Sequence, residues 1–321
     1  MFKFSTSILA TVLLALLPIT SAKNASTTYL NQWPMIMSHD AATTYLSSGI
    51  FNDWIKTQPS GGASGLLDCG ARALDWRPAL QKDGSLFMHH NFVVIKHKMK
   101  DAMDEMIEWA GRNKNGASDL VFLGVTACKG DGCIAAVETL LATYNISFLN
   151  NEQLATMTVE DAVKYGKLTN GGSIIACESC WNEHFNSAIS CSGFGSGTDV
   201  KSKETNDELL SLEYTCYADS STKAAPLNRM WSYLSNTTAI GPLDGQMWTA
   251  QALWQEDAQS VTVGTLHDSS LLKDESKSGL NGLLKDRIDS RTWNVSTINM
   301  VEINNVCDGG VELKKVLDGI K

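Results

Sequence analysis

The chain has no second long hydrophobic run. Beyond the apolar stretch from Ile8 to Leu17, nothing in its 321 residues is long and apolar enough to span a bilayer. It has no polybasic segment, and its formal net charge is −9. That balance excludes nucleic acid as a partner and excludes tight electrostatic docking on anionic lipid. Internal repeats, low-complexity linkers and a dinucleotide-binding glycine fingerprint are all missing. The glycines of "CSGFGSGTDV" (191–200) neither follow a clear strand nor open a helix, so they do not form a phosphate cradle. The C-terminus "VELKKVLDGIK" is an amphipathic helix and not the apolar tail of a lipid-anchor signal.

What is present begins with a leader. Lys3, the Ile8–Leu17 run, Pro18 and the small residues Thr20-Ser21-Ala22 form the pattern of a cleaved secretory signal over residues 1–22. A membrane anchor would need a longer run, so residues 23–321 are expected as one exported domain. The eight cysteines suit an oxidising compartment. Cys128 and Cys133 enclose the tight turn "KGDG" and are the expected local pair. Cys177, Cys180, Cys191 and Cys216 should staple one loop region. "CESCWNEH" could alternatively offer Cys177, Cys180 and His184 as a zinc half-site. N-x-S/T sequons stand at Asn24, Asn145, Asn236 and Asn294.

Strand and helix patterns alternate. Strands are read at 34–40, 71–80, 85–90, 119–127, 171–179, 211–218, 245–255 and 297–306. Helices are read at 94–112, 133–144, 159–165 after the cap Thr158, 226–234, 278–293 and at the C-terminus. A polar loop is expected at 191–208. The methionines of 94–112 fill core. The order is α/β with a parallel sheet, best met by a distorted TIM (β/α) barrel whose chemistry sits at the C-terminal strand ends.

Arg77 and Leu86 are too close for a parallel crossover, so 73–80 and 85–90 form an antiparallel hairpin. A two-residue Asp83-Gly84 turn would set Ser85 opposite Lys82, His89 opposite Pro78 and His90 opposite Arg77. Alternation then groups Asp75, Arg77 and His90 on one face and sends His89 to the other. His39-Asp40 ends the neighbouring first strand. Two imidazoles, a carboxylate and a guanidinium at one mouth suit acid–base work on a phosphate ester. Arg77 would bind phosphoryl oxygens.

The segments "SHDAATTYL", "GARALDWR" and "MHHN" resemble the catalytic X region of phosphatidylinositol-specific phospholipase C. The likeness is to the small metal-independent bacterial enzymes and their secreted eukaryotic relatives, and covers roughly residues 33–127. It implies a distorted TIM barrel and attack by an inositol hydroxyl, giving a cyclic phosphate and releasing diacylglycerol. It implies His39 as general base, His90 as general acid and Asp40 as the residue orienting a histidine. Arg77 would stand where metal-dependent members hold calcium, so no metal or other cofactor is expected. Arg72 also matches the motif, with a structural or a catalytic role. Asp75, Thr126, Glu178 and Asn304 are the expected substrate-binding set, and three of them depart from the family pattern. Thr126 stands where a Lys or Glu is usual, and Glu178 near an expected inositol-binding Arg. Asn304 stands near an expected Asp, with Glu302 two residues before it. Phosphatidylinositol, a related lipid or a soluble phosphodiester is the implied substrate, met by a monomer in transient contact with a membrane surface. A metal-dependent glycerophosphodiesterase and a non-catalytic barrel that binds a lipid head group or a protein are the alternatives.

Overall fold

The computed structural model of the protein describes residues 23–182, 189–190, 246–255 and 268–320, with scattered positions between 231 and 266. The leader, the 191–208 loop, the 211–218 strand, most of the 226–234 helix, His184, Cys191, Cys216 and Asn236 lie outside the described residues.

Thirteen strands are described in chain order: β1 (Met35–Ser38), β2 (Ala71–Trp76), β3 (Pro78–Leu80), β4 (Leu86–His90), β5 (Val93–Lys98), β6 (Val121–Val125), β7 (Phe148–Leu149), β8 (Ile174–Glu178), β9 (Trp181–Asn182), β10 (Ile189–Ser190), β11 (Met247–Gln251), β12 (Trp254–Gln255) and β13 (Met300–Ile303). Eight of them form one parallel sheet in the order β7-β8-β6-β2-β1-β13-β11-β9. Strands buried on both faces read as nearly continuous apolar runs, which is why "MIMS" and "VFLGV" carry no alternation.

The sheet curls. β8 lies next to one edge and β9 is the other edge, yet only Ser179 and Cys180 separate them. Two linking residues span no more than about 10 Å, so the edges must approach. The Trp181 ring fills the space against Gly124 of β6, where a Cβ would stand 2.4 Å from it. Met35, Met37, Ala73, Phe122, Ile175, Trp181, Met247 and Met300 pack inside the curl. Ile36, Leu74, Leu123, Ala176 and Val301 face the helix layer.

Of the helices, α1 (Asn52–Ile55) and α2 (Gly62–Asp68) follow β1, and α3 (Met99–Arg112) packs on α2. Met99, Met103 and Met106 of α3 are core, as the stripe implies. Next come α4 (Cys133–Ala142), α5 (Asn151–Thr156) and α6 (Val159–Tyr165); the last is capped by Thr158, whose hydroxyl accepts from the Asp161 N–H. The chain ends with α7 (Leu271–Ser278), α8 (Leu280–Asp289) and α9 (Gly310–Asp318). No helix among the described residues is long and apolar enough to cross a membrane.

Four expectations need correction. The strand read at 71–80 breaks at Arg77, so β2 belongs to the barrel and β3 to a separate antiparallel sheet with β4 and β5. The helix read from Val94 begins at Met99, because Val93, Val94 and Ile95 pair with β4; a short apolar run does not distinguish strand from helix. The hairpin register is one residue from that expected: Pro78 faces Met88, and the Gln81 N–H donates to Ser85 O at 2.9 Å. Lys82-Asp83-Gly84 forms a three-residue loop, with the Gly84 N–H on Gln81 O and Gly84 at φ 82°. Finally, Cys177 and Cys180 are bonded to each other, which removes the zinc half-site. Cys128–Cys133 forms as expected, and Cys69–Cys307 is a bridge the spacing did not suggest.

Candidate active site

At the C-terminal end of β1 the chain turns sharply. The His39 N–H donates to Ile303 O, closing the ladder with β13, and Asp40 adopts a left-handed conformation at φ 43°. This turn points the Asp40 carboxylate back over the barrel mouth. Its Oδ1 lies 2.7 Å from Arg77 Nε, and its Oδ2 lies 3.0 Å from His90 Nε2 and 3.4 Å from His39 Nε2. One buried carboxylate therefore joins both histidines and the arginine.

Asp75 lies beside it on β2. Its Oδ2 accepts from Arg77 Nη2 at 2.8 Å and from the Asp40 N–H at 3.1 Å, and its Oδ1 accepts from Thr126 Oγ1 at 3.1 Å. The other side of the mouth belongs to β13, where Asn304 Oδ1 meets His39 Nδ1 at 2.9 Å. His39, Asp40, Arg77, His90, Asp75, Thr126 and Asn304 thus form one connected group. Glu178 does not join it. Cys177 belongs to the interior cluster and Glu178 is in register with Val125, which faces the helices, so alternation turns Glu178 outward, where it is exposed.

His39, His90 and Arg77 converge as the sequence implies, but through the Asp40 hub and not through a cross-strand pair, since His89 is the residue opposite Arg77 in the ladder. His89 faces the protein: its Nε2 lies 2.8 Å from Ala127 O and its Nδ1 3.0 Å from Asn91 O. Arg72 is structural. It pairs with Asp119 at 3.0 Å, donates to the carbonyls of Ser118, Leu67 and Ala71, and lies over the Trp109 ring.

Burial alone would raise the Asp40 carboxyl, but Arg77, His39 and His90 outweigh it and hold the group well below the usual carboxylate range. Burial would likewise lower Arg77, and Asp75 and Asp40 reverse that, so the guanidinium is a permanent cation here. Burial pushes His89 down, which suits a neutral structural imidazole. Histidine 39, Asp40 and Asp75 present ligand atoms within 4.8 Å of one another, a spacing a metal could use. Arg77 is ion-paired with both of those carboxylates, so an incoming cation would meet a fixed positive charge between its ligands.

Left-handed residues mark this rim. Asp40, Asn91, Ala127, Ser179 and Asn305 follow β1, β4, β6, β8 and β13, all with φ between 43° and 49°. Each costs on the order of 1 kcal/mol, and such strain gathers where side chains must be aimed. His39, Asp40, His90, Thr126 and Asn304 all lie at or immediately before one of them. Two buried groups were not suggested by the sequence pattern. Gln251 Nε2 donates to Glu302 Oε2 at 2.7 Å inside the barrel. Thr57 and Gln58 thread beneath His39 from the segment between α1 and α2.

No protein-family model and no curated protein sequence matches the chain. Solved structures do. A phosphatidylinositol-specific phospholipase C structure from Staphylococcus aureus is 12% identical over 92% of this chain and 94% of that one, with a TM-score of 0.53. A pentafluoro-Phe form of the S. aureus enzyme gives 13% identity, 93% and 95% coverage, and a TM-score of 0.57. The enzyme from Listeria monocytogenes gives 9% identity, 92% and 95% coverage, and a TM-score of 0.50. The chain has the distorted TIM-barrel fold of the bacterial phosphatidylinositol-specific phospholipases C.

Proposed function

We propose that this chain is an exported, metal-independent phosphodiester-cleaving enzyme of phospholipase C type. The observation that carries the reading is the single Asp40 carboxylate shared by His39, His90 and Arg77. In this reading His39 takes the proton of a hydroxyl adjacent to the phosphate, and that oxygen bonds to phosphorus. His90 gives its proton to the departing alkoxide, and a cyclic phosphate forms. The imidazolium created at His39 lies between Asn304 Oδ1 and the Asp40 carboxylate, both of which stabilise positive charge. Because Asp40 Oδ2 faces both rings, charge gained at one and lost at the other stays beside the same oxygen. Arg77 stabilises charge on the phosphoryl oxygens and substitutes for a bound cation. Asp75 fixes Arg77 and Thr126, and the latter with Asn304 offers polar contacts to a head group.

A lipid substrate is supported by apolar residues beside the mouth. Phe92, two residues beyond His90, is 80% exposed; Ile50 is 74% and Phe51 50% exposed, and the two phenyl rings lie 5.9 Å apart. Such a patch suits shallow insertion into a bilayer by a monomer. Asn24, Asn145 and Asn294 are exposed, as glycosylated sequons would be. The testing experiment is a panel of phosphodiester lipids in vesicles and their soluble head-group diesters. Cleavage of at least one member supports the reading, and inertness toward all of them replaces it with a lipid-binding barrel.

A further inference from the structure

Gln58 belongs to none of the segments that suggest chemistry, yet it is fully buried. Its carboxamide Nε2 donates to His39 O at 3.0 Å and to Ile303 O at 2.9 Å, while its Oε1 accepts from the Val306 N–H at 3.1 Å. The ladder between β1 and β13 stops at this level, because both strands then turn left-handed, at Asp40 and at Asn305. The amide stitches the two strand ends together where the backbone no longer can. Thr57 reinforces the stitch: its hydroxyl donates to His39 O at 2.9 Å and its carbonyl accepts from the Asn305 N–H at 2.8 Å.

The two donated bonds are not needed to satisfy the carbonyls. His39 O already accepts from Thr57 and Ile303 O from the His39 N–H. What they add is geometric restraint across the pair of backbones that carry the His39 imidazole and the Asn304 carboxamide. We infer that Gln58 is a positioning residue for His39, holding Nδ1 against Asn304 Oδ1. This rests on the proposed reading of His39 as the proton acceptor.

The test is Gln58→Met, which keeps length and burial but makes none of the three bonds. The expected result is a kcat reduced about 10- to 100-fold with KM nearly unchanged, since a displacement of about 1 Å in a reacting group has that effect. A variant that melts earlier but keeps the native kcat overturns the proposal. Proton-detected nitrogen NMR of the ring, with His39 identified by its loss in His39→Ala, gives a readout independent of activity. A shifted or exchange-broadened Nδ1–H signal in Gln58→Met supports the inference, and an unchanged signal refutes it even if no diester is cleaved. Should Gln58→Met fail to fold, Gln58→Glu, which keeps the shape, is read by the same resonance.

Discussion

Arg77 and Asp40 form an ion pair at 2.7 Å, between a side chain that retains 24% exposure and one that retains 2%. The arginine is the solvent-accessible edge of this group, and the aspartate is its anchored interior. His39 and His90 meet the same carboxylate from within.

Replacing Asp40 should therefore disturb all three partners together. Asp40→Asn preserves shape and is expected to lower turnover about 10²- to 10⁴-fold, the range typical of a lost acid–base contribution. It should also alter acid stability. The folded-state carboxyl titrates below its unfolded value, so its contribution is present above about pH 4 and is lost as pH falls through the folded value. Melting temperatures of the wild type and Asp40→Asn should converge below pH 4 and separate above it.

The two adjacent histidines should behave differently. His90→Ala is expected to abolish cleavage with the fold retained. His89→Ala should keep measurable turnover but lose about 1–3 kcal/mol of stability, since the neutral ring fills the space between two carbonyls and one of them loses its N–H donor. Paired kinetic and denaturant-unfolding measurements separate these outcomes.

Asp274 supplies a pH effect remote from the mouth. Burial pushes its carboxyl up to about 6, although Ser269 donates to it at 2.5 Å and Lys277 lies nearby. The folded value is raised, so this group favours the fold at low pH and that contribution is lost as pH rises through about 6. Asp274→Asn should flatten the stability change between pH 4 and 6 and, where it keeps the Ser269 contact, stabilise the protein above pH 6 by about 2–3 kcal/mol at most. Calorimetry across that range checks it.

The Cys69–Cys307 bridge closes a loop with a sequence separation of 238, tying the end of α2 to the segment before α9. Chain entropy sets its value at about 5 kcal/mol at most. Cys69→Ser with Cys307→Ser should lower the melting temperature and leave the mouth chemistry intact.

Much of the barrel was legible because β1, β6, β8 and β13 are short apolar runs that end in polar residues, and because Thr158 is a recognisable cap. The site was legible where its residues sit in sequence next to a strand end, as His39-Asp40 and His90 do. The hairpin register was not, because Asp83-Gly84 suits a two-residue and a three-residue loop equally, and only pairing with β5 and α4 packing decides. Gln58, Gln251 and Cys307 were hidden for a different reason. Each acts through a residue distant in sequence, and no local period or spacing encodes such a partner.

The most direct measurement follows a soluble or lipid phosphodiester by phosphorus NMR in excess chelator, with the wild type beside His39→Ala. The account predicts a cyclic phosphate signal that grows with the wild type and is missing with the variant. Cleavage that stops when chelator is added, or that persists in His39→Ala, would contradict it.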